Sequence, residues 1–319
     1  MIARLGAHRA LVAGILLTAV ASGLRGVGPS AVVLFGMTFL MGVGIAVSQP
    51  AIPALINAWL PARVGVATAI YVNGILIGEM LSASLTLPLV LPLVAGHWGA
   101  SLVVWAVPVL LTALVLAAFT SRLPEASSGP EVRWWPDWRR VETWQLGLLM
   151  GGASVAYFTA NTFIPDFLRA GARPNLIGPC LTALNVGQLP ASLITGFIAS
   201  RVVGRRAPFV LAGLGTLAGL GIFLLGRDGE LVLGVGILGF CGAFIFVLAL
   251  ALPPMLAARG DVHRLSAGMF TITYTYSFLA PLLGGAVWDL SDVPATAFLP
   301  MVVGTLTLLA GGSTLRLRR

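Results

Sequence analysis

Charge is scarce in this chain, and lysine is missing from it altogether. Only 9% of the 319 residues are charged, and all 19 basic residues are Arg. A soluble domain carries about 25% charged residues; here 58% are hydrophobic and mean hydropathy is +0.97. Without Lys there is no GxxxxGK[ST] phosphate loop to drive work by nucleotide hydrolysis. The two cysteines, Cys180 and Cys241, lie in apolar runs with neither CxxC spacing nor a nearby His, so they indicate neither a disulfide framework nor a zinc site. The three histidines, His8, His97 and His263, are placed in loops, and no HExxH, GxSxG or paired intramembrane carboxylates occur. Enzymes need reactive groups at fixed mutual geometry. The expectation is therefore no enzyme, no catalytic residue, no metal ligand and no cofactor. The formal charge of +8 and pI of 10.9 do not argue for nucleic acid, because no soluble basic domain exists to carry such a surface.

What the chain has instead is apolar length. Ten runs stand out: Leu11–Val27, Ala31–Val47, Val64–Pro88, Gly99–Phe119, Trp144–Phe167, Leu176–Ala199, Pro208–Leu225, Leu231–Leu252, Leu265–Val287 and Ala295–Leu315. Most hold about the 20 residues that a hydrocarbon core of roughly 30 Å demands of a helix. They lack the alternating polarity of barrel strands, and inside lipid every backbone group must find a partner within the protein. The reading is an all-α membrane protein of about ten transmembrane helices, with the lipid bilayer as its first partner. The opening, Arg4 and Arg9 before an apolar stretch and Ala19-Val20-Ala21, also fits a secretory leader. The internal recurrence of the same basic heptad weighs against that.

The arginines orient the bundle. Fifteen fall in alternate gaps: Arg4 and Arg9; Arg63; Arg122, Arg133, Arg139 and Arg140; Arg201, Arg205 and Arg206; Arg259 and Arg264; Arg316, Arg318 and Arg319. The other gaps hold only Arg25, Arg169, Arg173 and Arg227. Positive loops stay cytoplasmic, so both termini are expected on the cytoplasmic side of an inner membrane.

An internal repeat sets the organisation. Arg4-Leu5-Gly6-Ala7-His8-Arg9-Ala10 matches Arg201-Val202-Val203-Gly204-Arg205-Arg206-Ala207. Ala51-Ile52-Pro53-Ala54-Leu55 leading to Arg63 matches Leu252-Pro253-Pro254-Met255-Leu256 leading to Arg264. The offsets agree at about 200 residues, which implies a parallel duplication with six helices per repeat. Residues 1–120 then form an amino-terminal bundle of four helices, 121–143 a cytoplasmic linker and 144–319 a carboxy-terminal bundle of six. By this count the first half is truncated, with two helices falling upstream of Met1.

Two parallel six-helix halves, a long linker and a basic Gly-containing loop after the second helix of each half resemble the major facilitator superfamily. Its loop signature, Gly-x-Leu-Ala-Asp-Arg-x-Gly-Arg-Arg, is similar to the run from Gly196 to Arg206, with Ser200 in place of the acid and one residue inserted before Gly204. In the first copy Arg4, Gly6 and Arg9 remain. Within the superfamily, the cyanate-permease and nitroimidazole-transporter branch is the nearest resemblance. Ser48-Gln49-Pro50-Ala51-Ile52-Pro53-Ala54-Leu55, and Phe163-Ile164-Pro165-Asp166 ahead of Gly171, are similar to its fourth- and seventh-helix patterns. The resemblance implies a secondary active transporter, a monomer moving a small organic or anionic solute by alternating access with an ion or proton. It assigns Arg4, Gly6, Arg9, Arg201, Gly204, Arg205 and Arg206 to gating loops. The alternatives are a non-transporting or degenerate membrane protein and a ten-helix drug/metabolite-type transporter. The latter would repeat near 150 residues in opposite orientation.

Candidate solute contacts are the polar groups within the spans. Glu79 lies about fifteen residues into its run, where an ionised group costs on the order of 3 kcal/mol and is expected to face a cavity or the bundle interior. Uncharged polar residues gather in helices that line the pathway in the superfamily: Ser48 and Gln49; Tyr71 and Asn73; Tyr157, Thr159, Asn161 and Thr162; Asn185 and Gln188; Thr273, Tyr274 and Tyr276. Amides offer donors and acceptors without net charge, which suits a small organic or weakly anionic solute. The cavity set is Gln49, Asn73, Glu79, Tyr157, Asn161, Asn185, Gln188 and Tyr274, weighed against plain interhelical hydrogen bonding for each. Asp166, three residues before Arg169, reads as a helix-end ion pair.

Overall fold

A computed structural model describes residues 6–28, 30–120, 135–202, 205–257 and 261–314. Among these every regular element is helical. The principal helices are α1 (Ala7–Leu24), α2 (Ala31–Ser48), α3 (Ala51–Trp59), α4 (Val64–Leu85), α5 (Trp98–Thr120), α6 (Val141–Ala170), α7 (Ile177–Val186), α8 (Gln188–Val202), α9 (Ala207–Leu225), α10 (Gly229–Leu250), α11 (Val262–Ser291) and α12 (Leu299–Thr314). Each of the ten apolar runs is helical, because a run without charge or alternation pairs its backbone groups most completely within one helix.

Seven helical stretches have the length and composition to cross a membrane: Ala7–Leu24, Ala31–Trp59, Trp98–Ala118, Pro174–Thr195, Ala207–Leu225, Gly229–Leu250 and Pro294–Ser313. Two of the other three runs fall short for a physical reason. In α6 and α11, each 30 residues long, Gln, Asn, Thr, Ser and Tyr side chains dilute the apolar character. Among the described residues of α4, Val66–Ser82 is an apolar helical stretch. The sequence also mislaid two histidines: His8 and His263 stand in the first turns of α1 and α11, not in loops.

The chain divides into two compact units, residues 1–64, 78–136 and 257–266 in the first and 65–77, 137–256 and 267–319 in the second. In the first, α1 packs against α2 and α5. The contacts are made by backbone on backbone. A methyl at Gly14 would stand 2.7 Å from the Gly44 carbonyl oxygen, and one at Gly26 would stand 2.1 Å from that of Gly99. Small residues of this kind let helices approach closely where lipid supplies no hydrophobic drive. Pro88 falls in a wide π turn, Thr86–Val90, in which the Leu91 N–H reaches back to the Thr86 carbonyl. Beside it, the Trp105 indole donates to the Thr86 hydroxyl at 2.9 Å. At Arg264 the guanidinium bonds Asp261 at 2.9 Å and the Trp135 carbonyl at 2.8 Å, tying the end of the linker to the start of α11.

In the second unit α10 is the hub, packing on α6, α7, α8 and α9, while α12 packs on α6 and α9. One core brings together Phe163, Phe167, Phe223 and Phe298, with ring centroids 5.1–6.4 Å apart. Arg140 spans from the head of α6 to the Leu256 carbonyl at 2.9 Å. Asp166 and Arg169 pair at 2.7 Å, as their spacing indicated.

Candidate functional site

The second unit assembles most of the uncharged polar residues around one amide. Tyr157 and Asn161 lie four apart on α6 and so share a face; Asn185 ends α7 and Gln188 begins α8. The Tyr157 hydroxyl donates to Asn185 Oδ1 at 3.0 Å, and Gln188 Nε2 donates to the same oxygen at 3.4 Å. Asn185 Nδ2 is spent on the Leu181 carbonyl at 2.8 Å, which fixes which way the amide faces. Asn161 Nδ2 donates to the Tyr157 carbonyl at 3.0 Å. About 6 Å beyond Gln188 along α8, the Ser192 hydroxyl donates to Asn73 Oδ1. Asn73 belongs to the part of α4 that groups with this unit.

Burial grades along this line. Gln188 and Ser192 are buried, whereas Tyr157, Asn161, Asn185 and Asn73 are half-buried. The buried members have partners, as burial of a polar group requires, and the half-buried ones can exchange theirs with a solute or water. No carboxylate or guanidinium takes part in these bonds, so what the line offers is neutral donors and acceptors.

Glycine places the amide pair. A methyl at Gly239 of α10 would lie 2.0 Å from the Leu184 carbonyl oxygen, and one at Gly187 would lie 2.5 Å from that of Gly236. Backbones of α7, α8 and α10 therefore touch at the level of Asn185 and Gln188. Gly187 keeps helical backbone, φ −58° and ψ −25°, with its N–H on the Ala183 carbonyl at 2.9 Å, so α7 and α8 meet at a local irregularity within one membrane-crossing stretch.

Other candidates sit elsewhere. Tyr274 of α11 is in the same unit, and its ring stacks on Phe270 with centroids 6.0 Å apart. Thr273 and Tyr276 serve interhelical bonds, to the Gly147 carbonyl at 3.2 Å and the Thr307 hydroxyl at 3.4 Å. Gln49 and Glu79 belong to the first unit. Gln49 caps α2, half-buried. Glu79 is half-buried on α4, one turn before Ser82, whose hydroxyl donates to the Glu79 carbonyl at 3.0 Å.

Of the gating-loop residues, Gly6 caps α1 at φ +83°, a backbone geometry that favours glycine, and Arg9 is exposed on the first turns. Arg205 and Arg206 are exposed just before α9, and Arg201 lies near the end of α8. Arg4, Gly204 and the Arg201 side chain fall outside what is described. Ser192 was overlooked in the sequence; its signal was the four-residue spacing from Gln188, which puts both on one face.

No protein-family model matches the chain. Over 97% of its length it is 24% identical to the transporter YycB of Bacillus subtilis, covering 77% of that protein. It is equally 24% identical to the 2-nitroimidazole transporter of Escherichia coli, of which it covers 80%. Among solved structures, FucP, a major facilitator superfamily transporter in its outward conformation, superposes with a TM-score of 0.72 at 14% identity over 98% of this chain and 83% of that one. The human organic anion transporter MFSD10 gives 0.69 at 15% identity, over 98% and 78%. All of these relatives and neighbours are transporters, and none is an enzyme. With helices of membrane-crossing length and these superpositions, the chain is a multi-pass membrane protein with the major facilitator fold.

Proposed function

We propose that this protein is a secondary transporter that carries a small, neutral or weakly anionic organic solute across the inner membrane by alternating access. The observation that carries the reading is the Asn185 amide, held by the neutral side chains of Tyr157 and Gln188 in a half-buried polar line. Similarity over nearly the whole chain to a nitroimidazole transporter supports a planar, polar, uncharged cargo and membership of the cyanate and nitroimidazole branch. In this reading residues 1–120 and 144–319 are the two bundles, 121–143 joins them, and α4, α6 and α11 cross the membrane with the other seven. The protein works as a monomer with both termini cytoplasmic. Gly6, Arg9, Arg201, Arg205 and Arg206 act at the cytoplasmic gates, and Glu79 is the group through which a proton is coupled.

Transport into proteoliposomes of labelled 2-nitroimidazole and cyanate, each with and without a pH gradient, tests this. Saturable uptake of one of them is expected, with at least a tenfold loss in Asn185→Ala and partial retention in Asn185→Gln. Loss of the pH dependence alone is expected in Glu79→Gln. Saturable uptake untouched by Asn185→Ala would remove the polar line from the solute's path.

A further inference from the structure

A second site lies in the same unit, well away from the Asn185 amide. It is a cavity of about 260 Å³ between the ends of α6 and α9 and the start of α10, about 15 Å further along α6 than Tyr157. Its lining is of two kinds: the aromatic and aliphatic side chains of Phe167, Phe223 and Leu225, and two arginines, Arg173 and Arg227. The arginines are 54 positions apart in sequence and come from different turns. They are two of only four that depart from the alternate-gap pattern of the other fifteen.

Among the described residues neither guanidinium has an ion-pair or hydrogen-bond partner. The acids nearby are occupied or turned elsewhere. Glu230 Oε2 accepts the backbone N–H of Arg227 at 2.9 Å, Asp166 is paired with Arg169, and Asp228 is exposed in the turn and does not line the cavity. The plainest account is that each arginine offsets the negative end of a helix, α6 or α9. Yet that role asks for contact with the terminal carbonyls, and those of Phe167, Leu168 and Ile222 already accept backbone N–H groups of Gly171, Arg173 and Gly226. Two unpaired cations beside an apolar wall, in a space just under the roughly 300 Å³ at which drug-sized pockets begin, fit a small anionic group with an apolar attachment. Leu225, 87% exposed, leaves the apolar side open to the surroundings of the bundle.

We propose that this cavity holds the anionic head of an amphiphile, a phosphate or carboxylate set between Arg173 and Arg227 with its apolar part against Phe167, Phe223 and Leu225. Guanidinium groups suit such a head because their planar fork donates two hydrogen bonds at once. The source is a bilayer lipid or a free anion, and the two are separable.

Thermal melting of the purified chain in dodecylmaltoside would be followed with dihexanoylphosphatidylglycerol, dihexanoylphosphatidylcholine or sodium phosphate. A ligand of the folded state raises Tm with its concentration. Phosphatidylglycerol is expected to raise Tm by several degrees and phosphatidylcholine to leave it in place. The double variant Arg173→Gln/Arg227→Gln should reduce the phosphatidylglycerol shift to the phosphatidylcholine level, while Arg173→Lys/Arg227→Lys keeps part of it. An arginine-dependent shift with phosphate alone supports the site with a free anion as occupant; a shift confined to the lipid supports a headgroup. Equal shifts from the two lipids, or a full phosphatidylglycerol shift in the glutamine variant, would overturn the proposal. Should the glutamine variant not fold, native mass spectrometry of the wild-type chain in an equimolar lipid mixture decides: preferential retention of phosphatidylglycerol supports the site, and equal retention rejects it.

Discussion

The second unit covers its own side chains far more fully than the first. In α10 56% of the span is buried, whereas in the stretch formed by α2 and α3 only 11% is. Phe35 and Phe39, on one face of α2, are exposed, while Phe209, Phe223 and Phe298 in the second unit are almost fully covered. In water the face of α2 would be a liability. In a bilayer it costs nothing, because lipid tails are as apolar as leucine. What separates the units is therefore how their helices are held: the first by glycine crossings and a small aliphatic cluster around Leu11 and Leu55, the second by glycine crossings together with an aromatic core and buried hydrogen bonds.

The largest effect should come from that core. Phe298→Ala removes a ring that touches Phe163, Phe167 and Phe223, and is expected to destabilise the protein by about 3–5 kcal/mol. Phe35→Ala, its counterpart in the first unit, should stay within about 0.5 kcal/mol, the range of surface substitutions away from special features. Denaturation in mild detergent, read by near-ultraviolet circular dichroism, compares the two directly. A cost for Phe35→Ala as large as for Phe298→Ala would erase the distinction.

Glycine substitutions sharpen the comparison at the next level. Gly187→Ala and Gly239→Ala push a methyl into facing backbone that cannot give way locally, and each is expected to cost about 1–3 kcal/mol. Gly36→Ala on α2 meets nothing within 4 Å and should gain up to about 1 kcal/mol from helix propensity. Melting temperatures moving in opposite directions would bear this out; a loss at Gly36 would show that α2 is packed on that face. The smallest effect is at Asp166→Asn. It breaks a pair more than half exposed on both sides, and such pairs contribute about 0.2–0.5 kcal/mol. A larger change would mean that the end of α6 is held by this ion pair and not by its apolar face.

Much of this was legible in the sequence because lipid imposes a one-dimensional rule. An uninterrupted apolar run has to be a helix, so the start of α4 at Val64 and the end of α9 at Leu225 coincide with the limits of their runs. Contacts made by geometry were hidden. Pro190, with no N–H to return to the Val186 carbonyl, marks the junction of α7 and α8 in the sequence, but no property of residues 176–199 alone announces that α10 presses on Gly187. Composition also understates α6 and α11, whose polar side chains are what a site and its interhelical bonds are made of. For the site, residue types were visible and partners were not. Tyr157 and Asn185 could be picked out as polar groups in apolar runs, but their bond depends on the register of two helices 28 positions apart. Tyr276 and Thr273, equally polar, proved to be braces between helices.

Asn185 and Gln188 flank Gly187, where the backbone is pressed by α10, and this bears on how tightly a solute would have to compete for them. Two donors already crowd one oxygen, and the contact from Gln188, at 3.4 Å, is near the outer limit of a hydrogen bond. A slight swivel at Gly187 lengthens that contact first. The oxygen it leaves is still satisfied by Tyr157 at 3.0 Å, so the cost of the vacancy falls on the Gln188 amide, which is buried and needs another acceptor. A solute that donates to Asn185 and accepts from Gln188 would replace one weak bond with two at little cost in either direction, which is the thermodynamic condition for a cargo that must be released as readily as it is taken up.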